Sequence, residues 1–206
     1  MSVESKHIAW AITLAAVGGI VLLSRRKSNP PSLIHNNMEY DYSKYGVAIP
    51  LGYRSNNPLN IRYNAGNTWK GKVTPPATGQ YGTYERFADL VYGYRAALVL
   101  LRGKGYILGG LNTIRKIISK WAPAEDHNYT ESYIANVSRL TGIDPDAVIS
   151  RNDRDALSKI VYAMSIIENG YKHKFRDEND NVVTVDLKDT YDLPNYEIIE
   201  EAWKIV

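Results

Sequence analysis

The chain has 206 residues, which fits one domain of about 100–200 residues with attachments. Apolar residues make up 44% and charged residues 23%, which excludes a wholly disordered chain. The absence of Cys excludes a disulfide framework, a thiolate metal site and a cysteine nucleophile. The net charge of +3 hides an asymmetry: residues 177–206 hold nine Asp/Glu against two Lys, whereas the remainder carries 13 acids and 23 Lys/Arg. A basic body suits a polyanionic partner, or is simply a solvated surface.

In chain order, residues 8–23 form a run of sixteen residues without a charge, closed by Ser24-Arg25-Arg26-Lys27. At about 1.5 Å per residue the run covers roughly 24 Å, short for a hydrocarbon core of about 30 Å but workable with His7 and Ser24 at its edges. A cleaved signal peptide carries its positive charge before the apolar run and a small-residue cleavage site after it, and this pattern is the reverse. The expectation is therefore an uncleaved single-pass anchor over 1–27, contacting lipid through residues 8–23. The three basic residues after the span and one Lys before it put the large domain on the cytoplasmic side.

Residues 28–52 mix Pro, Asn, Ser and Tyr without periodicity and read as a tether. A folded domain is expected over 53–172. It opens with a turn-rich stretch to about Tyr84 that suits a small hairpin, followed by helical patterns near 87–102, 111–121, 128–140 and 153–169. In the third, Tyr133, Ile134 and Val137 share an apolar face with Thr130, and Asp153 is placed to cap the fourth. The acidic remainder, 173–206, reads as a polar hairpin around 182–185 and a short helix over 195–205. The fold class is mainly α, written α+β, with an N-terminal transmembrane helix.

Several site chemistries are excluded. His7, His35, His127 and His173 form no ligand-spaced pair, so no metal is expected. Asp177-x-Asn179-x-Asn181 starts like a calcium loop, but lacks Gly at the sixth position and has Lys188 at the twelfth, and reads as a turn. No Gly-rich phosphate cradle is present and no cofactor is expected. The basic residues are not interleaved with aromatics, so no nucleic acid is expected as a partner.

Two segments carry candidate chemistry. At about 100° per residue, Leu157, Ile160, Val161, Met164 and Ile167 share one face of the fourth helix. Glu168 falls on that face, about 20° from Leu157, just before Asn169-Gly170 stops the helix. Burial and the helix C-terminus both oppose its charge, which suits a general acid for a glycosidic oxygen. The alternative is a Glu frayed into solvent. The second segment is Arg54-Ser55-Asn56-Asn57-Pro58-Leu59-Asn60-Ile61-Arg62, where three Asn in five positions suit a structured loop whose amides bond backbone or a polar ligand. Trp69, Tyr81 and Tyr84 add rings with polar handles, as in sugar clefts, though each singly reads as loop structure.

The run RSNNPLNIRYN, Trp69-Lys-Gly71, Tyr84-x-x-Phe87, Gly93-Tyr-Arg95-Ala96, Gly110-Leu-Asn-Thr-Ile-Arg115, Trp121-Ala-Pro123-Ala-Glu125, Tyr133…Val137-Ser138…Thr141-Gly142 and Ile167-Glu168-Asn169-Gly170 resembles a family of phage virion-associated proteins across about 54–170. Members are taken to be lysozyme-like, peptidoglycan-degrading enzymes, and many are known only as structural virion proteins. Lysozyme-like muramidases and lytic transglycosylases also end a helix in Glu-Ser/Asn-Gly, but ahead of an Asn-x-x-x-Ile loop and hairpin. Here the order is reversed, as in a circular permutation. The resemblance implies a catalytic Glu168, with Glu85 as an alternative acid or second carboxylate. It implies substrate contacts through Asn57, Asn60, Arg62, Trp69, Tyr81, Tyr84 and Glu125, with Asp126 a further candidate. The implied partners are peptidoglycan glycan strands and capsid or other virion proteins, and the implied location is a virion membrane drawn from the host inner membrane. The alternative function is a membrane-anchored structural virion protein that binds glycan or links membrane to capsid.

Overall fold

Four helices frame the domain, and three of their starts are marked by a short polar side chain. Asp89 accepts from the Val91 N–H at 2.9 Å ahead of a helix at Leu90–Arg102 (α2). Thr113 accepts from Lys116 N–H at 3.2 Å ahead of Ile114–Trp121 (α3). Thr130–Thr141 (α4) has no side-chain cap and ends at Gly142. Asp153 caps Arg154–Asn169 (α5) by accepting from Ala156 N–H at 3.1 Å, as its position in the sequence predicts. The four helical patterns read from periodicity thus form, with starts one to three residues later than expected because the caps lie inside the apolar pattern.

The structure, a computed structural model, describes residues 50–126, 128–170, 172–176, 181–186 and 196–206. The expected anchor at 8–23, the tether over 28–49, His127 and the turn at 177–180 lie outside the described residues. Among the described residues no helix is long and apolar enough to cross a membrane. Nor does any group of three or more His, Asp or Glu among them have a metal-holding arrangement.

The described residues are mainly helical, with two small antiparallel pairs among them. Ala77–Gly79 (β1) pairs with Gly82–Tyr84 (β2) in the register Ala77 to Tyr84, within the turn-rich stretch expected to hold a hairpin. Lys172–Arg176 (β3) pairs with Val182–Asp186 (β4), Lys172 opposite Asp186. A single-turn helix at Leu51–Arg54 (α1) precedes them all, and Tyr196–Trp203 (α6) follows.

The core gathers Phe87, Tyr94, Leu98 and Leu101 with Ile114, Ile117, Ile118, Leu157, Ile160 and Met164, all at most 2% exposed. The apolar faces of α2, α3, α4 and α5 meet there because each has one stripe to remove from water. Two expected boundaries shift. Gly52 and Tyr53 are buried in α1, which packs on α5, so residues 51 and 52 belong to the folded body and not to the tether. The acidic C-terminal helix also belongs to the body. Helix α6 packs on α2 and α5 through Ile199 and Ala202, both fully buried, and Trp203 Nε1 donates to Ser158 Oγ at 2.7 Å. Its Glu residues lie on the opposite side of an amphipathic pattern, so local charge alone did not reveal the buried stripe.

Candidate functional site

Helix α5 carries Glu168 on its final turn. Gly170, with φ of +64°, ends the helix by donating its N–H to Ile166 O at 2.7 Å. Because Glu168 continues the buried stripe of Leu157, Ile160, Val161 and Met164, its carboxyl faces the segments that cover that stripe. Three of them supply a donor. Tyr133 OH of α4 donates to Oε1 at 2.9 Å, and Trp121 Nε1 at the end of α3 donates to the same oxygen at 3.0 Å. Asn60 Nδ2, from the Asn-rich loop, donates to Oε2 at 3.0 Å. All three donors are neutral, and all four residues are half-buried.

Burial pushes the Glu168 carboxyl above the usual carboxylate range, while the hydrogen bonds from Asn60, Tyr133 and Trp121 and the charge of Arg62 pull the other way. Burial also drives the Tyr133 hydroxyl well above its ordinary value, helped by Glu168 beside it. The carboxyl is thus sheltered, oriented at both oxygens and biased toward holding a proton. Such a group can give a proton to a neighbouring oxygen and take one back.

The Asn-rich loop reaches Glu168 by an unusual backbone. Asn56 and Asn60 have φ of +54° and +49°, the left-handed region where Asn is the best tolerated residue after Gly. Asn57 fixes the turn between them: Nδ2 donates to Ile61 O at 3.0 Å and Glu85 O at 2.9 Å, and Oδ1 accepts from Ile61 N–H at 3.0 Å. Asn57 is fully buried, so its amide serves the loop and the hairpin root and presents nothing to a ligand. Asn169, next to Glu168, reinforces the seam by donating to Pro58 O and Ser165 O at 2.6 and 2.9 Å.

Gly52 of α1 closes the other side of the loop. A Cβ there would lie 2.1 Å from Asn169 Oδ1 and 2.9 Å from Asn60 Oδ1, so only glycine lets both amides settle against the helix.

The remaining predicted residues fall into separate groups. Arg62 is exposed; its Nη1 donates to Tyr81 O, and its guanidinium carbon lies 5.1 Å from the centre of the Tyr84 ring. Tyr81 projects from the β1–β2 turn at 74% exposure. Glu85 is fully buried, with Oε1 accepting from Asn64 N–H at 3.1 Å and Lys72 Nζ at 3.2 Å. Its Oε2 lies 3.0 Å from the same ammonium, an ion-pair contact without a hydrogen bond of its own. Trp69 packs against the core and borders an open depression of about 340 Å³ with Asn67, Thr68 and Arg95. Glu125 borders a larger depression of about 510 Å³ with Ser119, Asn128 and Tyr129. Neither depression includes Glu168 or its three donors.

The structure therefore joins Asn60 to Glu168 and groups Arg62 with Tyr81 and Tyr84. It leaves Glu85, Trp69 and Glu125 outside the hydrogen bonds around Glu168. Sequence reasoning missed Trp121 and Tyr133 as its donors. The available signal was their position: both carry a polar hydrogen on an otherwise apolar helix face, where a buried donor needs a partner.

No known family model matches the chain. Over 121 residues, 58% of this chain and 71% of the relative, it is 37% identical to protein P5 of Pseudoalteromonas phage PM2. On that likeness the chain belongs to the family of this bacteriophage protein.

Proposed function

We propose that the domain is a lysozyme-like enzyme of the phage particle that cleaves the glycan strand of peptidoglycan during entry into the host, with Glu168 as general acid. The observation that carries the reading is Glu168 itself, a half-buried residue whose carboxyl is pushed toward its protonated form at a helix end and aimed by three neutral donors. The Glu-Asn-Gly helix end is the feature shared with lysozyme-like enzymes, and the Asn-rich loop reaches it from earlier in the chain, as a permuted order of that fold requires. Residues 8–23 anchor the protein in the particle's membrane, and the domain faces the shell until entry.

The reading takes Glu168 as one residue acting in turn as acid and base, the route that the resemblance to one-glutamate lysozyme-like enzymes suggests. Glu168 gives its proton to the glycosidic oxygen as the bond from C1 breaks. The resulting carboxylate then takes the proton of the sugar's C6 hydroxyl while O6 bonds to C1, which restores the acid and consumes no water. Anhydro-muramic ends are the expected products, and mass spectrometry of digested glycan reads them directly; products heavier by one water throughout mean hydrolysis and require a separate base.

The test of the reading is digestion of purified peptidoglycan by the full chain and by Glu168→Gln, which keeps the shape and removes the proton. The expected loss is at least about 10²-fold. Equal digestion by the two proteins refutes Glu168 as the acid, and no digestion by either refutes the enzyme. One observation favours a second reading, a membrane-anchored structural virion protein that binds glycan or bridges membrane and capsid. Glu168 links the Asn-rich loop, α3, α4 and α5 in one hydrogen-bonded hub, which is also how a buried carboxylate serves a scaffold.

A further inference from the structure

Arg62 is a cation held in place without an acidic partner among the described residues. Asn60 and Arg62 flank Ile61, whose side chain is 6% exposed, and whose backbone N–H and C=O are both taken by Asn57. Asn60, two residues before Arg62, is bonded to Glu168, and the Arg62 charge acts on that same carboxyl. The guanidinium is fixed from two sides, by the Tyr81 carbonyl that accepts from Nη1 and by the Tyr84 ring. The hairpin is shaped to admit it. Gly82 has φ of +136°, and a Cβ there would lie 2.4 Å from Nη1. Among the described residues no carboxylate forms an ion pair with Arg62. Glu168 feels the Arg62 charge, yet its three hydrogen bonds come from Asn60, Trp121 and Tyr133.

A planar cation with free donors, clamped beside a sheltered acid, matches a carboxylate on the ligand better than any neutral sugar group. We infer that Arg62 makes the site selective for glycan units that bear a free carboxylate, with Tyr81 and Tyr84 as the platform that aims the guanidinium. The inference rests on the glycan reading above and names the feature of the substrate that the site recognises. An anion at this position is held by two parallel N–H···O bonds, which Lys cannot reproduce.

Calorimetric binding to the full chain tests it with two probes. One is a peptidoglycan tetrasaccharide freed of stem peptides, with its lactyl carboxylates ionised; the other is the same sugar with those carboxylates converted to methylamides. The free acid should bind about tenfold more tightly, as expected for one charge-assisted pair. Arg62→Gln should abolish that preference, so that the two probes bind alike, and Arg62→Lys should restore only part of it. If both probes bind alike, or if Arg62→Gln keeps the preference, the inference falls and the glycan reading stands. If neither probe binds, both fall together.

Discussion

The two sheltered glutamates of this domain are held in opposite ways. Glu85, at the root of the β1–β2 hairpin, is fully buried against the Lys72 ammonium, and that ammonium also donates to Asn64 O and Asn67 O at 2.8 and 3.1 Å. Glu168, at the end of α5, faces three neutral donors and keeps partial exposure. A buried carboxylate matched by a cation is an internal cross-link, and the cation's other partners are backbone carbonyls of one loop. A carboxylate surrounded by neutral donors is oriented without being neutralised, and burial then acts on its proton. The contrast separates a residue that shapes the loop from one placed to exchange a proton, although both are sheltered Glu side chains.

The largest expected effect breaks the first arrangement. Lys72→Met removes the cation and leaves the Glu85 carboxylate buried with the Asn64 N–H as its remaining hydrogen-bond donor. Removing one partner of a buried pair costs roughly 3–5 kcal/mol, so denaturant unfolding should show a loss of that size. A loss below about 1 kcal/mol, the range of exposed pairs, would mean that Glu85 is solvated and available for other work.

Next in size is Gly52→Ala. The new methyl meets Asn169 Oδ1 at 2.1 Å, and Asn169 is pinned by its bonds to Pro58 O and Ser165 O. Overpacking of this kind costs about 1–3 kcal/mol. The same methyl crowds Asn60 Oδ1, so peptidoglycan digestion should fall further than the loss of folded protein accounts for. Digestion that simply follows the folded fraction would limit Gly52 to a packing role.

Much of this frame was legible in the sequence, and the gaps have physical causes. Periodicity found the four long helices because each has a single apolar stripe, and it placed Glu168 on the stripe of α5. Short polar caps at Asp89, Thr113 and Asp153 set where three of them begin. Helix α1 was hidden because a single turn has no period to detect, and its role depends on contact with Asn60 and Asn169 far along the chain. The Asn-rich loop was legible as polar and structured, but not the division of labour within it. Only the fold shows that Asn57 is sealed inside while Asn60, three residues on, reaches Glu168. Trp121 and Tyr133 were visible as residues, but their convergence on one carboxyl depends on how α3 and α4 pack on α5.

A smaller effect is expected from pH. The folded Glu168 carboxyl holds its proton more tightly than the unfolded one, so between the ordinary Glu value and the raised one the folded state binds more protons. Stability from this group is therefore full below the ordinary value and is lost as pH rises through the raised one. Gln does not titrate. The stability of Glu168→Gln relative to wild type should accordingly climb across that window in thermal melts, while a flat difference would place Glu168 at an ordinary value.

The smallest change sharpens the comparison most. Tyr133→Phe keeps the ring and deletes one of the two donors on Glu168 Oε1, leaving Trp121 Nε1 in place. The lost bond favours the ionised form, so its removal should raise the Glu168 value further. The net stability change should be about 1 kcal/mol or less near neutral pH, because a hydrogen bond is lost while the ring stays packed. Activity should show the effect more clearly. A general acid works only while protonated, so under the proposed function digestion should decline on the alkaline side as Glu168 gives up its proton. In Tyr133→Phe that decline should move to higher pH, whereas the same substitution in a purely structural hub would lower the amount of folded protein and leave the shape of the pH profile unchanged.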